Sequence, residues 1–288
     1  MMNDPTGEDL TPDMTTPLTQ CTREVRRWRA GAVSAEVDCL AEEVPVALEY
    51  NGIAHAVMLA TPSDLEDFAI GFSLTEGIVD SARDIYAIDV ESGANGVTLK
   101  VQLATGAFVA LKVRRRALAG RTGCGLCGTE SLDEVMRTPA RVRSGASFDP
   151  AVFDQAFMAL SARQNLQRST GATHAAAWMR ADGQLILVRE DVGRHNALDK
   201  LAGAMARNSI DVAHGAVLVT SRASYEMVLK TAALGAGVLA AVSGPTALAG
   251  RLAESAGLTL LGFVRTGSLV IYTHPHRLRI AGSPHSPA

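Results

Sequence analysis

The chain has 288 residues, 47% of them hydrophobic and 20% charged, with a formal net charge of -3. That apolar content can bury the core of one large or two modest domains, and the near balance of charge excludes a global field that would draw the chain to nucleic acid. No apolar run approaches the ~20 residues of a bilayer-spanning helix, and Met1 to Thr19 is polar and Pro/Thr-rich without the regions of a signal peptide, so a cytoplasmic protein without a membrane partner is expected.

Along the chain, residues 1–22 read as a disordered polar leader, 23–137 as a small α+β domain, 138–279 as an α/β domain and 280–288 as a flexible tail. The first domain opens with Val44 to Tyr50 and Ile53 to Leu59 flanking Asn51-Gly52, a dipeptide suited to a two-residue hairpin turn. Ser63 and Glu66 have capping-box spacing, and Leu65, Phe68, Ala69 and Phe72 then share a helical face until Gly77. Val97 to Leu103 and Ala107 to Val113 read as further strands. The Pro/Arg/Ser/Gly stretch Thr138 to Ser147 marks the domain boundary.

The second domain begins with a helix carrying Phe153, Ala156, Phe157 and Leu160 on one face. Strands Ala175 to Met179 and Gln184 to Val188 follow, joined through Asp182-Gly183. The pattern then alternates: helix Arg194 to Arg207, strand Ala216 to Thr220, helix Ser224 to Gly235, strand Val238 to Val242, helix Ala247 to Ala256, and strands Leu258 to Val264 and Leu269 to Thr273. Short apolar strands separated by such helices predict a mixed or parallel sheet covered on both faces.

Two of the four cysteines stand together in Arg121-Thr-Gly-Cys-Gly-Leu-Cys-Gly128, where flanking glycines make the backbone hard to hold rigid. Cys21 and Cys39 read as incidental or packed thiols. Arg114, Arg115, Arg116 and Arg121 would favour the thiolate at Cys124 and attract anionic partners. The spacing also fits a zinc site, but no second CxxC completes it, and His174, His195, His214 and His274 lack paired ligand spacing. A thioredoxin-like dithiol would follow the first strand of its domain, whereas here nearly a whole domain precedes the pair.

A second constellation, Glu190-Asp-Val-Gly-Arg-His-Asn-Ala-Leu-Asp-Lys200, runs from strand into helix. It places Arg194, His195 and Asn196 where helix N–H groups can meet an anion. The alternative is that Asp191 or Asn196 only caps the helix while Asp199 and Lys200 are solvated surface. Similar polar turns recur at Ser221-Arg-Ala-Ser224 and Ser243-Gly-Pro-Thr246, and the three should gather at the sheet edge where α/β folds bind ligands. The closing segment Phe263-Val264-Arg265-Thr266-Gly267-Ser268 can stack on a base and contact phosphate, or be an ordinary hairpin turn.

These motifs, with Ser221-Arg-Ala-Ser-Tyr-Glu-Met227, Phe68-Ala-Ile-Gly-Phe-Ser-Leu-Thr-Glu-Gly77 and Tyr272-Thr-His-Pro275, resemble the formate dehydrogenase accessory sulfurtransferase family (FdhD) from about Arg23 to His276. The resemblance implies a homodimeric sulfurtransferase with a cytidine-deaminase-like second domain. It implies that a cysteine desulfurase donates sulfur, held as a persulfide on Cys124 with Cys127 as companion. The acceptor would be molybdenum bis(molybdopterin guanine dinucleotide), bound as substrate through Phe263 to Ser268 before insertion into formate dehydrogenase. A zinc deaminase is disfavoured, because no cysteine follows Cys127 and position 197, where the shuttle glutamate of H-x-E would stand, is Ala. No intrinsic metal is expected. A cofactor chaperone without sulfur transfer is the non-enzymatic alternative.

Overall fold

The computed structural model describes residues 18–119, 141–142 and 145–280 and, over 115–119, the backbone alone. The chain opens with an antiparallel ribbon of β1 (Gln20–Arg29) and β2 (Ala32–Ala41), turned at Ala30-Gly31 with positive φ at both positions. Core-facing alternation is absent from its sequence because the ribbon is largely exposed; Trp28, Val33 and Val37 are open to solvent. Arg27 to Glu36 at 2.7 Å ties the strands on the other face. Gln20 to Thr22, grouped with the leader by composition, lie in β1; the rest of that leader up to Pro17 is outside the described residues.

A four-stranded sheet follows in the order β4-β3-β6-β5, formed by β3 (Val44–Tyr50), β4 (Ile53–Ala60), β5 (Ile85–Gly93) and β6 (Gly96–Leu103). The expected hairpin turns at Asn51 (φ 46°) and Gly52 (φ 80°). Its inner face buries Val46, Leu48, Tyr50, Leu99 and Val101 beneath α1 (Leu65–Thr75), which contributes Phe68, Ala69 and Phe72. The cap of α1 differs from the expected Ser63–Glu66 box: Asp64 is the N-cap, in the left-handed region, with no side-chain capping bond.

The strand expected at Ala107 to Val113 is instead part of α2 (Thr105–Ala119). Ala107, Phe108 and Leu111 fall on one side of a helix and reach the core, whereas Val109 and Val113 are exposed, as strand alternation would not allow. Lys112 lies 4.7 Å from the Phe108 ring centroid, an i, i+4 contact that only the helix provides.

The second unit is a six-stranded mixed sheet, order β12-β11-β10-β9-β7-β8, formed by β7 (His174–Arg180), β8 (Leu185–Asp191), β9 (Gly215–Val219), β10 (Val238–Ala241), β11 (Thr259–Arg265) and β12 (Ser268–Thr273). On one face lie α5 (Arg194–Arg207), α6 (Tyr225–Ala233) and α7 (Ala247–Ala256), around Leu198, Leu201, Met227 and Leu252. On the other, α3 (Ala151–Arg163) supplies Phe153, Ala156 and Leu160, and the short α4 (Asn165–Thr170) follows. β9, β10 and β11 are parallel, and β7 runs antiparallel to both β8 and β9, so β8 to β11 share one C-terminal edge.

The two units meet where α1 crosses α5. A Cβ at Gly71 would lie 1.7 Å from the Asp199 carbonyl oxygen, and one at Gly203 would lie 1.9 Å from that of Asp67. The two helix backbones therefore touch, and glycine is required on both sides. Buried charge surrounds the crossing. Lys200 Nζ lies 2.6 Å from Asp191 and donates to the Thr61 carbonyl, and Lys230 Nζ contacts both Asp199 oxygens at 2.9 and 3.0 Å. Asp199 and Lys200 are thus buried, not the solvated surface of the alternative reading. Asp67 receives Arg189 at 2.6 Å and Arg207 at 3.0 Å.

Candidate functional site: an anion-binding edge

The segment Glu190 to Lys200 does two jobs. Asp191 accepts from the Gly193 amide at 2.7 Å and the Asn196 side chain at 3.0 Å, closing the tight turn into α5. Its other oxygen takes the Thr61 amide at 3.0 Å, and Asn196 donates to the Leu59 carbonyl at 2.8 Å. The turn is thereby bolted to the front domain, and Arg194 and His195 are left at the start of α5, where unpaired helix N–H groups favour negative charge.

The neighbouring turn after β9 presents Ser221 to Ser224 at the start of α6. Ser221 is buried and donates to the Arg222 carbonyl at 3.0 Å. His195 Nε2 stands 2.5 Å from Glu226 Oε2 in the first turn of α6. This contact holds the Glu226 carboxyl below its ordinary range against the opposing effect of burial. Arg194 Nε and Ser224 Oγ are buried without a partner, so two polar atoms at two adjacent helix starts are withdrawn from water and left unsatisfied.

The turn after β10 joins the same edge, with Thr246 N bonded to the Ala223 carbonyl and Ala223 bridged to Pro245. Beside it, Phe263 sits at φ 49° with its ring against Gly244, where an added Cβ would come within 2.6 Å. Arg265 donates to the Val242 and Val264 carbonyls, fixing the turn, and the Gly267 amide donates to Asp154 at 3.2 Å. Val264 is buried, while Thr266 and Ser268 are exposed. Arg194, His195, Ser221 and Phe263 to Ser268 thus lie along one edge but spread over it. From β8 to β11 is four strand spacings, roughly 19 Å, more than a mononucleotide covers at once.

Cys124 and Cys127 are outside the described residues, as are Arg121 and the side chains of Arg115 and Arg116. Arg114 is described and donates to the Glu76 carbonyl at 2.9 Å, so it serves the packing of α2 on α1. Among the described residues no three His, Cys, Asp or Glu side chains cluster as metal ligands. Glu226 and Ser224 were not singled out as site residues by sequence, although both lie in the Ser221 to Met227 stretch. Their role depends on which helix starts adjoin, which spacing along the chain does not reveal.

The FdhD/NarQ family pattern matches residues 41–279. A relative named sulfur carrier protein FdhD from Cupriavidus necator is 66% identical over 91% of this chain and 91% of its own length. One of the same name from Bordetella petrii is 55% identical over 89% of this chain and 93% of its own. A crystal structure from Desulfotalea psychrophila, of a candidate formate dehydrogenase accessory protein, superposes with a TM-score of 0.74 at 22% identity, covering 91% of this chain and 100% of that one. That likeness shows a shared fold. Sequence match and fold agree, and the chain belongs to the FdhD/NarQ family.

Proposed function

We propose that this protein is a cytoplasmic sulfurtransferase of formate dehydrogenase maturation. It takes sulfur from a cysteine desulfurase as a Cys124 persulfide and delivers it to molybdenum bis(molybdopterin guanine dinucleotide) bound at the anion edge. The name sulfur carrier protein on close relatives supports the carrier role. The observation that carries the binding site is the pair of buried, unpartnered atoms on Arg194 and Ser224 at two helix starts, which a phosphate oxygen would satisfy.

In the loading step the Cys124 thiolate attacks the terminal sulfur of the donor persulfide; a new S–S bond forms, the old one breaks, and the donor leaves as a thiolate. No external oxidant is needed. The cofactor is substrate here: its phosphates lie at the starts of α5 and α6, and Phe263 to Ser268 flank a guanine. The back domain is then a cytidine-deaminase-like scaffold without the zinc chemistry, since position 197 holds the fully buried Ala197 in place of a proton-shuttling glutamate. Formate dehydrogenase is the final recipient, and the working unit is a homodimer.

Incubating the protein with a cysteine desulfurase and cysteine should add one reductant-labile sulfur atom, seen by intact mass, and Cys124→Ala should add none. A wild-type protein that never gains sulfur would leave a cofactor chaperone as the better reading.

A further inference from the structure

The two helices that start at the anion edge end somewhere else. α5 spans 14 residues, so about 20 Å separates its two ends. There the last turns of α5 and α6 meet that of α1 around a cavity of about 460 Å³ at the junction of the two units. Its walls are apolar, with Leu74 and Val79 from the front unit and Met205, Ile210, Leu229 and Leu234 from the back one. Its rim is acidic, carrying Glu76 and Asp80, and among the described residues no lysine, arginine or histidine lines it. We propose that this cavity docks a segment of a partner protein in which an arginine or lysine stands beside aliphatic residues, with the cation on the rim and the aliphatic groups on the walls. The inference concerns a face far from the nucleotide edge and does not depend on that reading.

Three helix C-termini supply the field. Thr75, Glu76 and Gly77 close α1, Ala206 lies in the last turn of α5, and Ala233 and Leu234 close α6. The partial negative charge of three sets of terminal carbonyls is thus gathered at one place. Basic residues in those last turns do not cancel it. α1 has none, Lys230 is shared between Asp199 at 2.9 Å and Glu76 at 2.7 Å, and Arg207 is engaged by Glu66 and Asp67 at 3.0 Å each. Asp80 is exposed and enters no ion pair among the described residues.

The chain's own cations show what this corner holds. Arg114 donates to the Glu76 carbonyl at 2.9 Å, completing the end of α1 with a guanidinium from α2. Burial opposes the charge on Lys230, yet the carboxylates of Asp199 and Glu76 keep its pKa above the ordinary value. Lys230 donates to one oxygen of Glu76, and a carboxylate can accept several more hydrogen bonds. A small hydrated ion would gain nothing from the apolar walls, and an apolar side chain alone would gain nothing from the rim. A basic side chain with aliphatic neighbours uses both. The walls are within reach of such a partner, because Leu74, Ile210, Leu229 and Leu234 are only half-buried and Ala233 is exposed.

The test is an NMR titration of the isotope-labelled full chain with the capped peptide acetyl-Leu-Leu-Arg-Leu-Leu-amide and with versions in which glutamine or glutamate replaces the arginine. The arginine peptide should shift the amides of Gly77, Ile210 and Leu234. It should bind about 5- to 10-fold more tightly than the glutamine peptide, the effect of one hydrogen bond to a carboxylate at a partly exposed rim, and the glutamate peptide should bind most weakly. Asp80→Asn should cut the arginine preference by about 2- to 5-fold, the range of an exposed ion pair, with the urea midpoint unchanged. Ala233→Phe fills the cavity from an exposed position and should abolish binding of all three peptides. Equal binding of the three peptides overturns the cation requirement, as does an arginine preference untouched by Asp80→Asn. Undiminished binding to Ala233→Phe, or shifts that spare those three amides, overturns the location. A wild-type chain that binds none of the peptides overturns the proposal outright.

Discussion

Replacing Gly71 by Ala perturbs the protein at the point where its two units touch. The new methyl would start 1.7 Å from the Asp199 carbonyl oxygen, backbone against backbone, so no side-chain rotation can relieve it. The helices must part by more than an ångström. Overpacking of this kind costs about 1–3 kcal/mol, and parting α1 from α5 also stretches the Thr75–Asp199 bond at 2.6 Å and the Asp67–Arg207 bond at 3.0 Å, each worth about 1 kcal/mol or somewhat more. The expected loss is therefore about 3–5 kcal/mol, read as a drop in the urea midpoint. Gly106→Ala is the control. That glycine lies in the first turn of α2 with nothing within 4 Å, so alanine there should be neutral or stabilise by about 0.5–1 kcal/mol. If Gly71→Ala lost less than about 1 kcal/mol, the close helix crossing would be wrong, and with it the account of how the domains are joined.

Lys200→Met should lower stability by about 3–5 kcal/mol, because it leaves Asp191 buried without its cation; Asp191→Asn combined with Lys200→Met should recover part of that in the same urea assay. His174 supplies a pH dependence. Its folded pKa lies below its unfolded value, so below about pH 6.5 the unfolded chain takes the proton more readily, and this contribution to stability is lost as pH falls through the folded value. His174→Gln should flatten the difference in urea midpoint between about pH 7.5 and 5; an unchanged difference would place the titrating group elsewhere. Arg265→Ala should weaken GDP binding by roughly 10- to 150-fold in calorimetry, part of it through the loosened turn, and equal affinity would remove the closing turn from the site.

Where the sequence alternates around a core, its reading matched the fold closely: Arg194 to Arg207 and Ala247 to Ala256 are helices at the expected bounds. It failed where burial is weak or one-sided. The ribbon of β1 and β2 has little core to alternate against, and Ala107 to Val113 contains enough apolar residues to satisfy either period over so short a run. The site was legible in its parts, because polar turns after three strands announce one edge. What linear spacing could not show is which residues of the Glu190 to Lys200 motif face inward. Asp199 and Lys200 look like surface charges until α1 and α6 are packed over them.

That motif bears on the charge left at the proposed anion edge in a chain of nearly balanced charge. Asp191 is paired with Lys200, and Asp199 with Lys230, all inside the junction of the two units. Burial opposes the charge on Lys230, but Asp199 and Glu76 more than offset it and raise its pKa, so the ammonium is retained. These pairs cancel close to where they stand and contribute little field at the sheet edge. What remains is Arg194, the helix starts of α5 and α6, and His195, whose charge Glu226 would balance once the ring is protonated. On the proposed reading, a phosphate at Arg194 would sit on a turn whose geometry is fixed by Asp191 and Asn196, the residues that also tie it to the front domain. The edge and the domain junction should therefore stiffen or loosen together: phosphate binding at Arg194 should raise the urea midpoint of the whole chain, and the α1–α5 crossing should be protected from amide exchange when it does.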